Sequence, residues 1–288
     1  MSTPTIVTFA EGAVDGDGVV TRIEQGSHGT VVVVDATPFH PVDHTWPDQP
    51  GDSGTITSGG RVLPVAEAVM AAASAEGAFA VGGDIPVKRG AEGWTWLVGH
   101  RIDAEVPDGL AEGTRVRLSV DETRRAGLSR GHTACHLASL ALDLAVSDLW
   151  RKDPGTDALG NPDFEGRANQ SSRIHENGAV DEYRLGKSLR RAGFDTETFA
   201  ATLADREEQI NSRLAAWVAS GAASFIRTEG PTIVDRRRWH CDLPEGHAAI
   251  LCGGTHVDSL TEFSAIVVEF DLSDPQLLVM TTTATPAV

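Results

Sequence analysis

Two pairs of potential metal ligands stand out in the sequence, and in each pair the residues are four positions apart. His132 and His136 lie in the segment GHTACHLASLAL, and Cys252 and His256 lie in LCGGTHV. Residues four apart on a helix share a face, so both imidazoles of the first pair can reach one ion. Imidazole and thiolate groups are ligands that Zn²⁺ prefers. The two pairs together predict a four-ligand zinc site.

Each pair also has a simpler explanation. A histidine on an amphipathic helix is commonly structural or solvated, and an isolated cysteine often packs as a small hydrophobe. The helix carries no glutamate between its histidines, so it lacks the HExxH arrangement in which a helix supplies its own general base. His240 and Cys241 form a weaker competing pair, because neighbours on a strand point to opposite faces. The combination of both four-residue spacings therefore gives the stronger hypothesis.

The elements that must position these residues fall into two halves of the chain, which differ in composition and in hydrophobic pattern. Residues 1–121 are rich in Gly and Val, with short β-favouring runs that predict a small β-barrel-like N-terminal domain. Within it, the Ala-rich segment 65–74 is predicted as a helix. Residues 122–288 begin with helical periodicity over 131–150, continue with a long helix capped by Asp195, and end in consecutive β-like runs. This order predicts an α+β fold whose second domain packs an antiparallel sheet on long helices.

The composition limits the class of protein. The chain has 288 residues, of which 41% are hydrophobic and 23% charged, as in ordinary globular proteins. No apolar run approaches the roughly 18 to 20 residues that span a bilayer, so no membrane partner is expected. Three cysteines cannot form a disulfide framework and the first residues do not resemble a secretion signal, which favours the cytoplasm. The net charge of −17 argues against broad nucleic-acid binding, although a local basic patch can still dock such a partner.

The residues around the two pairs resemble the editing domain shared by alanyl- and threonyl-tRNA synthetases and their free-standing AlaX-type relatives. The family pattern is a strand ending in Val-Asp, then paired arginines, then His-Thr-Ala-x-His. The chain has Val120, Asp121, Arg124 and Arg125, followed by HTACH, and later the similar segments REEQINSRLAAW and CGGTH. The first half also matches the N-terminal barrel of AlaX proteins, at Thr37, Phe39, Pro41, Gln49, Pro50, Asp52 and Gly54.

Two segments and one single residue depart from the family pattern. The sequence PVDHTWPDQP replaces a Pro-x-x-Gly-Gly-Gln-Pro stretch, and ANQSSRIHENG stands where the family has Gln-x-Gly-Ser. Cys135 occupies a position that is often Thr in the family. Its side chain is expected either to line the amino-acid pocket or to fill space beside the metal.

The resemblance implies a Zn²⁺-dependent hydrolase that acts in trans on a misacylated tRNA. It would cut the ester between a wrong amino acid and the 3′-terminal adenosine, with a zinc-activated water as nucleophile and no further catalytic side chain assigned. By resemblance the zinc ligands are His132, His136, Cys252 and His256. Four protein ligands are typical of closed structural sites, so catalysis requires either a fifth coordination position or a weakly bound Cys252.

The family also implies substrate classes and contact residues. Its usual targets are seryl or glycyl esters on alanine tRNA, and a specialised member acts on fluorothreonyl-tRNA. The substrate-binding candidates are Thr133, Cys135, Gln170, Gly253, Gly254 and Thr255. The candidates for contact with the tRNA acceptor end are Arg124, Arg125, Arg236, Arg237 and Arg238. For the last three, a solvated strand edge explains the basic run equally well.

Two other functions remain open from the sequence. One is a metal-dependent hydrolase of a small ester or amide with no tRNA substrate, which the net charge of −17 favours. The other is a non-catalytic binding protein that zinc stabilises. The sequence leaves the amino acid, the tRNA, any general acid or base and the oligomeric state undetermined.

Overall fold

The computed structural model describes residues 3–26, 29–103 and 109–287 and divides the chain into two compact units. Unit 1 comprises Met1–Arg125, Arg227–Arg237 and Gly253–Thr255, and unit 2 comprises Ala126–Ile226, Arg238–Cys252 and His256–Val288. The sequence predicted one boundary, after residue 121. The structure divides the chain slightly later, after Arg125, which lies within the helix Glu122–Ala145. It also assigns two short later segments, Arg227–Arg237 and Gly253–Thr255, to unit 1.

Unit 1 consists mainly of β-strands, with short 3₁₀ helices at Phe9–Glu11 and Gly82–Asp84. Its strands are β1 (Ile6–Val7), β2 (Asp15–Gly26), β3 (Gly29–Val34), β4 (Ala36–Thr37), β5 (Gly54–Ser58), β6 (Arg61–Ser74), β7 (Phe79–Val81), β8 (Trp94–Ile102) and β9 (Arg115–Val120).

Seven of these strands form one antiparallel sheet in the order β5-β9-β2-β3-β8-β6-β7, and β5 also pairs with β6. The remaining two, β1 and β4, pair in parallel. The β-rich character of the first half is confirmed, and the closed barrel stays a prediction.

The predicted helix at 65–74 is wrong, because this segment is part of strand β6. Ala68 and Ala72 lie in one buried cluster of unit 1, whereas Ala71 and Ala73 lie in another. Both faces of the strand are therefore buried, and the polar alternation that marks a half-exposed strand is missing. A continuous apolar run of this kind cannot be told from a buried helix by its periodicity.

Unit 2 contains the long helices and the remaining strands. Its helices are α1 (Glu122–Ala145), α2 (Glu165–Ala168), α3 (Lys187–Ala192), α4 (Thr196–Ala201) and α5 (Leu203–Ser220), with 3₁₀ helices at Ser147–Leu149 and Leu260–Glu262. Its strands are β10 (Asn169–His175), β11 (Gly178–Arg184), β12 (Ser224–Thr228), β13 (Arg237–Leu243), β14 (Gly246–Leu251), β15 (Phe263–Asp274) and β16 (Leu277–Pro286). The first residues of α1, the end of β12 and the start of β13 are counted with unit 1.

The strands of unit 2 form two sheets, which confirms the mixed α+β class with mostly antiparallel pairing. A four-stranded antiparallel sheet has the order β10-β11-β16-β15, and β12, β13 and β14 form a three-stranded sheet. Helix α5 lies along the edge strand β15. The Asn211 amide accepts from Val268 N (2.7 Å) and donates to Val268 O (3.0 Å), and Glu207 accepts from Phe270 N (2.7 Å).

Two helix predictions need correction. Helix α1 begins at Glu122, well before the predicted start at 131, and nearly every residue from Gly127 to Asp143 is buried. It is therefore a core helix and not a half-exposed amphipathic one. Asp195 does cap a helix, since Thr198 N donates to its carboxylate (3.1 Å), but that helix is the short α4, and the chain breaks at Thr202 before α5.

The core of unit 2 combines residues of these helices and of both sheets. Its largest buried side chains include Phe164, Tyr183, Phe199, Trp217 and Trp239. None of the helices in the described ranges combines the length and apolar character that a membrane crossing requires.

Candidate metal centre

Two distant segments of unit 2 bring four ligand-type side chains together, which are called the ligand cluster below. Its members are His132, His136, Cys252 and His256, whose ligand atoms all lie within 4.8 Å of one another. The Cys252 Sγ atom is 3.4 Å from His132 Nε2 and 3.2 Å from His256 Nε2. The first two residues lie on α1, and the other two lie in the loop that follows β14.

Close packing fixes α1 against the β10–β11 hairpin. A Cβ atom added at Gly131 would lie 2.3 Å from the carbonyl oxygen of His175, so only glycine allows this approach. The indole ring of Trp239 stacks on the imidazole of His136, with 5.2 Å between the ring centroids. The indole Nε1 in turn donates to Ser224 Oγ (2.7 Å). The helix and the ring of His136 are therefore held from two directions.

Thr133 orients one member of the ligand cluster. Its hydroxyl oxygen accepts a hydrogen bond from Val257 N (3.2 Å) and lies 3.1 Å from His256 Nδ1. The other ring nitrogen, Nε2, faces Cys252. A ligand histidine commonly donates its second ring N–H to such an oxygen, which fixes its tautomer and its orientation. The structure thus places Thr133, predicted as a substrate contact, in support of His256.

The ligand cluster fits a zinc ion. Tetrahedral zinc with Zn–S of about 2.3 Å and Zn–N of about 2.0 Å separates sulfur and nitrogen by roughly 3.6 Å, close to the two distances observed. The buried Nε2 atom of His136 has no hydrogen-bond partner among the described residues. Burial lowers the pKa of His136 to about 4, so its imidazole is neutral at pH 7, as metal binding requires.

The predicted substrate contacts Cys135 and Gln170 are not members of the ligand cluster. The Cys135 thiol is buried and donates toward the carboxylate of Asp181, at 3.4 and 3.6 Å. Gln170 is exposed on β10, and its amide donates to the backbone oxygen of its neighbour Asn169 (2.9 Å). Their roles in substrate binding stay predictions.

The other predicted substrate contacts, Gly253, Gly254 and Thr255, belong to unit 1. There the side chain of Gln49 holds Thr255 twice. Its Nε2 donates to Thr255 Oγ1 (3.0 Å), and its Oε1 accepts from Thr255 N (3.0 Å). Gln49 thereby fixes the backbone directly before His256 in the sequence.

Two of the five arginines predicted to contact tRNA are buried within unit 1. Arg125 pairs with Asp52 and also donates to Pro38 O (2.8 Å). Arg237 donates to the backbone oxygens of Thr232 (3.2 Å) and Ile233 (2.9 Å).

The other three arginines are more accessible. Arg124 is half-buried and donates to Gly51 O (3.2 Å), whereas Arg236 and Arg238 are exposed. The proposal for tRNA contact below therefore rests on these three.

Three residues contact predicted site residues without having been predicted themselves. Trp239 contacts His136, Asp181 contacts Cys135, and Gln49 contacts Thr255. Trp239 and Asp181 carried no motif that links them to the site, since both make their contacts through tertiary packing. Gln49 had a signal in the sequence, because it belongs to the stretch that matches the N-terminal half of AlaX proteins.

Comparison with known proteins shows similarity to an alanine–tRNA ligase. Over 241 residues, which cover 84% of the chain, the sequence is 27% identical to alanine–tRNA ligase of Chlorobium chlorochromatii (strain CaD3). The chain spans only 24% of the length of that protein. No family model matches the sequence.

Proposed function

We propose that this chain is a trans-acting, zinc-dependent aminoacyl-tRNA deacylase. The observation that carries the proposal is the convergence of the two predicted ligand pairs in one cluster. The similarity to an alanine–tRNA ligase over most of the chain supports an ester of tRNA as the substrate. Seryl or glycyl esters on alanine tRNA, or a fluorothreonyl ester, are the substrates we propose to test first.

The ligand cluster supplies the groups that would hold the ion. A zinc ion bound there supplies Lewis-acid activation of water for attack on an ester carbonyl. The three imidazoles are neutral when they bind, and the thiol of Cys252 binds as thiolate. Thr133 holds the ring of His256 in place, and Trp239 covers one face of His136. The cluster contains no carboxylate, so a protein base would have to come from outside it.

Contact with tRNA should be small in a chain of net charge −17. We propose that Arg124, Arg236 and Arg238 contact phosphates of the acceptor end. Each phosphate contact contributes about −0.7 to −0.9 to the slope of log K against log salt, so three contacts give a slope of about −2 to −3. The measured slope tests this proposal, because a value near −6 or steeper would require a far larger basic surface.

A panel of charged tRNAs tests the proposed function. Purified protein is assayed for zinc content and for deacylation of seryl-, glycyl-, alanyl-, threonyl- and fluorothreonyl-tRNA. We expect near-stoichiometric zinc, hydrolysis of at least one ester, and loss of both zinc and turnover in His132→Ala. The matched control is His247→Ala, because His247 is an exposed histidine of the same unit outside the ligand cluster. The proposal is wrong if chelation of zinc leaves deacylation unchanged.

The second candidate function is hydrolysis of a small ester or amide, and the net charge of −17 favours it. Turnover of small aminoacyl esters, with none on any charged tRNA, would select this candidate. Stoichiometric zinc without turnover on either substrate class would instead assign the ion a structural role.

A further inference from the structure

A second group of polar side chains lies inside unit 2, beside the ligand cluster but outside it. We call it the acidic cluster. Asp181 and Tyr183 lie two apart on β11 and therefore share a face, and Thr282 of β16 lies opposite Ala179 on the same face. Cys135 of α1 and Glu165, the first residue of α2, complete the group. Asp181, Tyr183 and Thr282 are all 0% exposed.

Side-chain contacts pair four members of the acidic cluster, and Thr282 belongs to it by its position on the same sheet face. Cys135 donates to both carboxylate oxygens of Asp181, at 3.4 and 3.6 Å. The hydroxyl of Tyr183 lies beside the carboxyl of Glu165, although outside the geometry of a full hydrogen bond. Burial and then the nearby Asp181 carboxylate raise the pKa of Glu165 to about 8. Two carboxyl groups thus share one buried environment, and one of them keeps its proton at neutral pH.

Several buried polar atoms of the cluster make no full hydrogen bond to any of the described residues. These atoms are Thr282 Oγ1, the Tyr183 hydroxyl and Glu165 Oε2, although Tyr183 and Asn169 lie beside the Glu165 carboxyl. Such atoms are costly inside a protein, where most buried polar groups are satisfied. A ligand that brings N–H donors and a positive charge would satisfy them, whereas an anion would be repelled by the carboxylate.

Helical geometry relates the acidic cluster to the metal ligands. Cys135 follows His132 by three residues, and side chains at this spacing are neighbours on a helix, with Cβ atoms about 5–6 Å apart. In an aminoacyl ester, the α-ammonium nitrogen lies two bonds from the carbonyl carbon, or about 2.5 Å. One hydrogen bond of about 2.8 Å then reaches the accepting carboxylate. Asp181, which Cys135 contacts at 3.4 Å, therefore lies one side chain away from His132 along this face of α1.

We propose that the acidic cluster is the subsite for the α-ammonium group of the aminoacyl ester, with Asp181 as its counter-ion. The inference rests on the proposed function and names the feature that the substrate must carry. An ammonium group has three donors and no acceptor, which matches the oxygens of Asp181, Thr282 and Glu165. The same chemistry excludes esters whose amine is acylated, so peptidyl-tRNA and formylated tRNA are not substrates.

A two-by-two comparison of enzyme and substrate tests the subsite. Wild type and Asp181→Asn are each assayed on the seryl ester of alanine tRNA and on the same ester with an N-acetylated amine. Every kcat/KM is divided by the spontaneous hydrolysis rate of that ester, because acylation also changes its intrinsic reactivity. We expect wild type to prefer the free amine by about 10- to 100-fold, and Asp181→Asn to lose most of that preference through the free-amine substrate alone.

Two further variants separate the subsite from a general loss of structure. Thr282→Val keeps the charge and removes one acceptor, so it should lower kcat/KM several-fold on the free amine and not on the N-acetyl ester. Glu182→Gln changes the neighbouring carboxylate, which lies on the opposite face of β11 and pairs with Arg173 (2.6 Å), and serves as the control. Zinc content and circular dichroism report whether each variant folds.

The possible outcomes are distinct. Equal turnover of both esters by wild type overturns the subsite and leaves the proposed deacylase intact. Loss of activity in Asp181→Asn by the same factor on both esters also overturns it, because a merely structural role predicts that result. If wild type hydrolyses neither form of the seryl ester, the same comparison is made on the other esters of the panel, and inactivity on all of them overturns the proposed function, and the subsite with it. If Asp181→Asn does not fold, the substrate preference of wild type and its change in Thr282→Val decide the question.

Discussion

Replacing Glu165 by glutamine should remove a large part of the pH dependence of stability. The folded protein holds this carboxyl at a pKa of about 8, against an ordinary value of 4.5, because the group is buried near Asp181. Between these two values the folded state binds a proton that the unfolded state has released, so the stability contributed by Glu165 falls as the pH rises. Linkage gives a loss of about 3 kcal/mol between about pH 5.5 and about pH 8, whereas glutamine has no proton to lose.

Urea denaturation of wild type and Glu165→Gln at several pH values measures this difference. Other titrating groups, including the histidines of the ligand cluster, are common to both proteins and cancel in the comparison. Glu208→Gln is the control, because it makes the same chemical change at an exposed position of α5. We expect the wild-type free energy of unfolding to fall relative to Glu165→Gln as the pH rises, and to run parallel to that of Glu208→Gln. Parallel curves for wild type and Glu165→Gln would refute the reasoning.

Three further predictions concern the metal site and the two cores. Thr133→Val should weaken zinc binding by about 10- to 100-fold, because His256 loses its orienting contact, while Thr133→Ser should retain affinity in competition with a chromogenic chelator. Arg125→Met should destabilise the protein by about 3–5 kcal/mol in urea denaturation, because it leaves the Asp52 carboxylate buried without its partner. Unchanged stability would show that the pair is solvated. Leu214→Ala should cost about 2–5 kcal/mol in the same assay, because Leu214 is fully buried on α5; a cost below about 1 kcal/mol would mean that the core refills the space.

The sequence predicted the ligand cluster because its signal is local. Two four-residue spacings and a pair of glycines can be recognised without a fold, and the structure brings all four side chains within 4.8 Å. The contact between Thr133 and His256 was not predicted, since the two residues are distant in sequence, and the role of Thr133 in substrate binding stays a prediction. The acidic cluster could not be predicted for the same reason. Only the pairing of β11 with β16 places Thr282 on the face that carries Asp181.

Errors in the predicted elements have a common physical cause. Segment 65–74 and helix α1 are both buried on nearly all sides, so neither shows the one-sided apolar pattern on which the prediction depends. In the first case a strand was predicted as a helix, and in the second a core helix was predicted too short. The cap at Asp195 was found because capping depends on a single residue and its near neighbours.

The side chains that α5 directs at β15 also bear on self-association. The outer edge of a sheet presents unpaired backbone groups, which can template the addition of a strand from another molecule. Asn211 and Glu207 occupy three of these groups on β15. The Asn211 amide pairs with both the N–H and the carbonyl oxygen of Val268, as a neighbouring strand would, and the Glu207 carboxylate accepts from Phe270 N. The chain thereby terminates its own sheet at that edge, and a second copy would have to displace a helix before it could extend the sheet into an aggregate.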